Sequence, residues 1–349
     1  MFVKKDLRKV PQILSDATSR INDDASATNG EIITELSFAR RAPEFIPGNV
    51  SILLSPSHRA ALENLLQLSL YDCGLKSLTE LQRDPTGVDD YVSFPKLKQL
   101  DVGRNPLLVN DSLSGTFHVH FPSLEEVWAD NCSFGPSLPQ TLLEFRKLQV
   151  VRMTGNKLQS LQGGMDKYWP RLKVLALDGN ELSEVDVGIG KLQHLQKLHL
   201  RQNKLNCLPE GVPSTANQNL TMISLSSNQL KKLPDSLVDV TTLEEVYLNS
   251  NEIELLPNGL AKLDKLTKLN LANNKIGTNS TNDDEEGDAI SLPEDFVKRF
   301  GLPEALSGNC AKDESCVVQM EGNPVADRRR KRFLEEEKEK AKEMDVDHE

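Results

Sequence analysis

Six histidines and five cysteines are the side chains of this chain best suited to hold a metal or act as nucleophiles, and their spacing favours neither. His118 and His120 form the one close histidine pair. On a strand, alternate spacing would set both on one face, as two metal ligands require. No Cys-x-x-Cys or His-x-x-x-His accompanies them, and Cys310 and Cys316 lack a second pair at a metal-binding spacing. The chain carries no Gly-x-x-x-x-Gly-Lys-Ser/Thr phosphate loop, no Gly-x-Gly-x-x-Gly after a strand and no Gly-x-Ser-x-Gly elbow. The expectation is a protein with no catalytic residue, no metal and no cofactor. What remains is recognition chemistry, so the elements that present the side chains matter most.

Those elements repeat. Leu195-x-x-Leu198-x-Leu200-x-x-Asn203-x-Leu205-x-x-Leu208-Pro209 recurs from Leu220 with Asn228, from Leu243 with Asn251 and from Leu266 with Asn274. Backwards it continues through Leu172 with Asn180, Leu148 with Asn156, Leu124 with Cys132, Leu97 with Asn105 and Leu107, and Leu65 with Cys73. A divergent unit starts at Ile33. This is the leucine-rich-repeat pattern, in which each unit supplies one short strand and a turn that cannot bury its apolar face alone. The predicted fold class is an α/β repeat solenoid, a horseshoe with a parallel concave sheet and short helices or turns on the convex side.

Positions four and six of each unit alternate with polar residues, as a half-buried strand requires. Position nine sits where the chain leaves the strand, so its side-chain amide can bond backbone groups that the turn leaves unpaired. The predicted ladder is Cys73, Asn105, Cys132, Asn156, Asn180, Asn203, Asn228, Asn251 and Asn274, with both cysteines structural. Phe94-Pro95, Phe121-Pro122 and Trp169-Pro170 stand at equivalent places before the first leucine, which predicts a packing role. Leu237 and Val240, and Leu260 and Leu263, should close the core from the convex side.

The solenoid is expected over 1–324, with divergent repeats in 1–123, regular repeats in 124–276, an acidic insertion in 277–291 and a capping unit in 292–324. Phe296, Val297 and Phe300 read as a buried helical turn, and Val318, Met320, Asn323 and Pro324 as the closing unit. A charged helix is expected in 325–349, its Phe333 and Leu334 packing on the last repeat. The insertion, with Asp283, Asp284, Glu285, Glu286 and Asp288, reads as a solvated loop that could also meet a basic partner or calcium.

Net charge is −11, which argues against nucleic acid or an anionic membrane as the main partner. No apolar run approaches a membrane span, the start lacks a secretory signal, and the odd, scattered cysteines suit a reducing interior. A cytoplasmic monomer is expected, with Arg328-Arg329-Arg330-Lys331-Arg332 leaving nuclear import open.

Binding is expected on the concave face, where side chains are free to vary. Position five of successive units gives Ser69, Asp101, Trp128, Arg152, Ala176, His199, Ser224, Tyr247 and Asn270. Position seven adds Tyr71, Asp130, Asp178 and Arg201. Strands stack about 4.8 Å apart, which makes Trp128 and Arg152 neighbours. Trp, Tyr and Arg are the types that dominate interface energies. The predicted partner-binding residues are therefore Trp128, Arg152, His199, Arg201, Tyr247, Asp101, Asp130, Asp178 and Tyr71.

With its Leu-x-x-Leu-Pro units of 23 residues, the chain resembles plant intracellular Ras-group-related leucine-rich-repeat proteins and animal scaffolds associated with Ras-type GTPases and protein phosphatases. That resemblance implies a non-catalytic scaffold or adaptor in intracellular signalling, with a small GTPase or a protein phosphatase as partner. The alternative is a regulatory subunit of an enzyme such as a protein phosphatase. Val92-Ser93-Phe94 is a poor phosphatase-docking segment, since acidic and aromatic residues precede it.

Overall fold

The computed structural model describes residues 34–37, 62–76, 93–110, 117–277, 292–303, 309–310 and 315–346. The start of the divergent repeats expected in 1–123, most of the acidic insertion and the chain end lie outside them. Backbone contacts divide the chain into two compact units, Met1–Glu181 and Leu182–Glu349.

In the first unit six strands run in parallel and in chain order: β1 (Glu35–Ser37), β2 (Gln67–Ser69), β3 (Gln99–Asp101), β4 (Glu126–Trp128), β5 (Val150–Arg152) and β6 (Val174–Ala176). In the second, β7 (Lys197–His199), β8 (Met222–Ser224), β9 (Glu245–Tyr247) and β10 (Lys268–Asn270) are followed by β12 (Val317–Gln319), parallel to β10, and by β11 (Asn309–Cys310), antiparallel at the edge. Every strand is three residues long or shorter because positions four and six point inward and the chain must then turn. Leu68, Leu100, Val127, Val151 and Leu175 align strand to strand and are buried, as are Leu198, Ile223, Val246 and Leu269. This is the leucine-rich-repeat solenoid.

Position eight turns the chain into the left-handed region, at φ between 53° and 59° in Asp72, Arg104, Asn131, Gln202, Ser227, Ser250 and Asn273. Where that position is Gly155, a Cβ would lie 2.4 Å from the Asn131 side-chain oxygen, so only glycine fits without displacing the turn beside it. The ladder then works as the register predicts. Asn156 donates to the Ala129 and Met153 carbonyls at 2.8 and 2.9 Å and accepts from the Phe134 N–H at 3.1 Å. Asn228, Asn251 and Asn274 repeat that triplet, and Asn323 closes it, accepting from Ile276 and donating to Leu271 and Met320. Asn105, Asn180 and Asn203 occupy equivalent rungs.

Cys132 fills its rung only in part. Its thiol donates to the Val102 carbonyl at 3.3 Å but supplies no amide oxygen for the preceding turn. Leu107, assigned above to that inward position, is 53% exposed, and Leu108 is buried in its stead. A rung that donates without accepting leaves the N–H of the preceding turn unsupported, and the chain enters the core one residue later. Burial pushes the Cys132 thiol up to about 11, so it is held as a neutral donor. Cys73 is buried, with its N–H on the Asn105 oxygen.

The opposite side of the repeats is built of short turns, including 3₁₀ segments Gln140–Glu144, Val187–Lys191, Asp235–Asp239 and Leu260–Lys262, and α1 (Met165–Tyr168). Leu237, Val240, Leu260 and Leu263 are buried there. Phe94 and Phe121 stack with centroids 5.3 Å apart, and Trp169, fully buried, donates to the Leu142 carbonyl. The aromatic–proline pairs are packing elements. Asn217 takes the equivalent slot in its own unit, with no exposure and with donors to Ile189 and Leu192.

Three expectations need correction. Phe117–His120 is a 3₁₀ turn rather than a strand, so His118 and His120 are not a same-face pair; His120 is buried and His118 edges onto Phe145. α2 (Glu294–Phe300) buries Phe296 and Phe300 but leaves Val297 half-buried, because the i and i+4 positions face the core. The final helix, α3, runs Pro324–Val346 and docks by its first turn: Val325 and Ala326 are buried, and Arg328 donates twice to the Gly277 carbonyl at 3.0 Å. Leu334 is 43% exposed and Phe333 half-buried, so the pair is not the buried cap; proline at the helix start places the buried apolar pair about two turns earlier than the sequence suggests.

Candidate functional site

The strand face of the first unit carries a side-chain cluster that its core does not require. The third residues of β2 to β6 are Ser69, Asp101, Trp128, Arg152 and Ala176, in register across the sheet. Two residues further on stand Tyr71, Gly103, Asp130, Thr154 and Asp178. Arg152 joins the two rows. Its guanidinium lies over the Trp128 ring, 5.1 Å from the centroid, and donates to Asp130 Oδ2 at 2.7 Å. Asp130 Oδ1 accepts the Thr154 N–H at 2.8 Å. The ring, the guanidinium and the carboxylate are therefore held in one arrangement before any partner arrives, which lowers the entropy lost on binding. The Trp128 indole N–H is shut off from solvent and has no acceptor among the described residues.

Asp101 sits one strand away. Its Oδ2 accepts from Ser69 Oγ and its Oδ1 from the Gly103 N–H, both at 3.0 Å. Burial pushes the Asp101 carboxyl above its ordinary value; the Gly103 and Ser69 hydrogen bonds pull it back, Asp130 adds to the rise and Arg152 opposes it. Tyr71 leans over Gly103: a Cβ built there would meet Tyr71 Cδ2 at 3.0 Å and Asp101 Oδ1 at 3.3 Å. Of the predicted binding residues, the structure thus brings together Tyr71, Asp101, Trp128, Asp130 and Arg152. Asp178 stands at the end of the same row, its carbonyl accepting from Gly155.

His199, Arg201 and Tyr247 belong to the second unit. His199 ends β7, half-buried, and Arg201 is exposed just beyond it. Tyr247 forms a separate cluster in which its hydroxyl donates to Glu245 Oε2 at 2.5 Å and the Lys268 ammonium lies 5.0 Å from its ring centroid. The hydrogen bond to Glu245 raises the Tyr247 phenol above its ordinary value. Sequence reasoning missed Glu245, Lys268, Gly103 and Thr154, and placed Ser69 on the face without assigning it to binding. Glu245 and Lys268 occupy position three, which faces the same way as position five, so the period-two rule could have found them. A shallow open groove of about 330 Å³ in this unit is lined by polar residues including Lys197, Asn219, Glu244 and Lys265. Among the described residues no group of three metal-capable side chains exists, and no helix is long and apolar enough to cross a membrane.

Comparison with known proteins agrees with this geometry. The leucine-rich-repeat family model matches residues 146–205, 193–253 and 218–276. Osteomodulin of Rattus norvegicus is 31% identical over 174 residues, covering 46% of this chain and 40% of osteomodulin. The chain thus spans well under half of that relative. Among solved structures, a leucine-rich-repeat protein of Leptospira interrogans superposes with a TM-score of 0.62 at 22% identity, covering 93% of this chain and 76% of that one. The Toll–Spatzle complex of Drosophila gives 0.54 at 23% identity over 69% of this chain and 30% of that one. Relatives of the osteomodulin and keratocan kind are among the matches, and the finer resemblance to intracellular Ras-group-related proteins does not follow from them. The matched family is a repeat module that mediates protein–protein interaction, with no catalytic family indicated. Residues 146–276 are leucine-rich repeats, and the fold to which they belong is the leucine-rich-repeat solenoid.

Proposed function

We propose that the chain is a non-catalytic scaffold or adaptor in intracellular signalling, and that its partner seats on the strand face of Met1–Glu181 around Trp128 and Arg152. The observation that carries this reading is the stacked and ion-paired Trp128–Arg152–Asp130 arrangement on a face free of core duties. Aromatic and arginine side chains held rigid at a surface are the usual anchors of protein interfaces. A similar solenoid, Toll, is solved in complex with Spatzle. The odd, scattered cysteines of the sequence suit a reducing compartment. Small GTPases and protein phosphatases are the partner classes to test first.

The test is affinity capture from the source cell with wild type, Trp128→Ala/Arg152→Ala and Tyr247→Ala side by side. Partners lost with the first variant and kept with the second support a seat on the first unit. A capture profile that the first variant leaves unchanged overturns it.

A further inference from the structure

We infer that the strand face of the second unit is a docking surface for a phosphorylated side chain of a protein partner, with the phosphoryl group over Ser224 beside Lys197 and Arg201. This surface does not rest on the seat proposed above; it adds a second one of different chemistry.

Its charge runs against that of the chain. From β7 to β10, positions three, five and seven carry three bases, Lys197, Arg201 and Lys268, against one acid, Glu245, in a chain of net charge −11. Glu245 accepts from the Tyr247 hydroxyl and Lys268 lies against the same ring, so that end of the face is balanced within itself. The basic excess lies on β7, where Lys197, His199 and Arg201 follow one another on one side of the strand over about 13 Å. Lys197 is exposed and pairs with no carboxylate among the described residues.

Shape and hydrogen bonding lead to the oxyanion. His199, Ser224 and Tyr247 stand in register across β7, β8 and β9, so a short side chain lies between two long ones. Two residues on, Ser226 repeats the step between Arg201 and Asn249. The serines thus floor a trough one strand wide, with its sides about 10 Å apart. Ser226 Oγ is engaged, donating to Asn249 Oδ1 at 2.6 Å. Ser224 is only 8% exposed, and its hydroxyl has no partner among the described residues. On the strand face at position five, that hydroxyl forgoes a hydrogen bond that an arriving oxyanion would restore. The inference needs this donor and the Lys197 ammonium; Arg201 has only to contribute its charge. A phosphoryl group brings close to two negative charges and three acceptor oxygens, so it can meet the hydroxyl beneath it and the ammonium beside it together. A carboxylate brings half that charge. The groove that Lys197 borders, with Gln196, Gln218, Asn219 and Thr221 on its walls, suits the polar main chain that carries the group.

The experiment uses the full chain and a fluorescein-labelled Gly-Ala-phosphoserine-Ala-Gly peptide followed by anisotropy, with Ser and Glu versions of the same peptide in parallel. Ser224→Ala removes a hydroxyl that bonds nothing in the folded chain, so its melting curve should match wild type. Lys197→Gln removes the exposed ammonium, and Lys232→Gln, exposed and outside the strands, is the control for bulk charge. The expected result is saturable binding of the phosphopeptide, at least fivefold weaker in Ser224→Ala and in Lys197→Gln and less than twofold weaker in Lys232→Gln. The Ser peptide should not bind. Absence of saturable binding to wild type would overturn the inference, as would equal losses in Lys197→Gln and Lys232→Gln. A Glu peptide that binds as tightly would make the occupant a carboxylate and overturn it too. Trp128→Ala/Arg152→Ala should leave phosphopeptide binding unchanged; a loss there would move the phosphoryl group to the first unit and contradict the assignment to Ser224.

Discussion

Replacing Asn228 by alanine removes one rung of the ladder, and the structure sets the cost. Its Nδ2 donates to the Leu200 and Leu225 carbonyls at 2.9 Å, and its Oδ1 accepts the Leu205 N–H at 3.1 Å. The two carbonyls are each served twice: Leu200 also accepts from Asn203 and Leu225 from Asn251. Only the Leu205 N–H is orphaned, at about 1–3 kcal/mol for a buried unsatisfied donor. The small void and the two weakened carbonyls add to that, so Asn228→Ala should cost about 2–4 kcal/mol. Asn228→Cys should cost less, because a thiol keeps a donor at the rung, as Cys132 does toward Val102. Urea unfolding analysed at constant m measures both. A loss under about 1 kcal/mol for alanine, or a cysteine variant as damaging as alanine, would refute the view that the orphaned N–H and the shared carbonyls set the scale.

Other substitutions probe the face and the turns. Trp128→Ala/Arg152→Ala should shift unfolding by no more than about 1 kcal/mol, since the Arg152–Asp130 pair is partly exposed, and a larger loss in thermal melting would make these residues structural. Asp101→Asn should raise the melting temperature at pH 7. The folded-state Asp101 pKa lies above its ordinary value of 3.8, so its ionised form is disfavoured in the folded chain. The gap between variant and wild type should therefore close as pH falls through the folded pKa towards 3.8, and a gap that widens would contradict the burial cause. Gly190→Ala places a Cβ 1.7 Å from the Gly211 carbonyl oxygen and should lower the melting temperature steeply; an unchanged melt would show that the turn can move. Iodoacetamide at pH 8 followed by mass spectrometry should label exposed Cys207 and spare Cys132, whose thiol is pushed up to about 11; comparable labelling would mean that the Cys132 rung opens.

The repeat register, the ladder and the packing of Phe94, Phe121 and Trp169 were legible because each depends on period and position, which a sequence displays directly. Asn323 was legible as the last rung for the same reason. The slip from Leu107 to Leu108 was not, because it depends on what Cys132 fails to accept from a neighbouring turn 25 residues away. Asn217 was missed because an asparagine in an aromatic slot reads as a loop residue, and its two carbonyl partners lie in the preceding unit. The docking of α3 depended on Arg328 reaching the Gly277 carbonyl, a contact 51 residues apart that no local pattern encodes. At the candidate site, positions five and seven identified Trp128, Arg152, Asp101, Asp130 and Tyr71. The stacking of Arg152 on Trp128 and the packing of Tyr71 over Gly103 came only with side-chain placement.

The central claim is that the partner seats on the strand face of Met1–Glu181. A photo-crosslinking amino acid at Tyr71, compared in the source cell with the same group at Val119 in the turn before β4, tests it most directly. Val119 is 59% exposed, so both sites can react. The account predicts a discrete adduct from Tyr71 that Trp128→Ala/Arg152→Ala abolishes, and none from Val119. An adduct from Val119 alone, or one from Tyr71 that survives the double substitution, would contradict it.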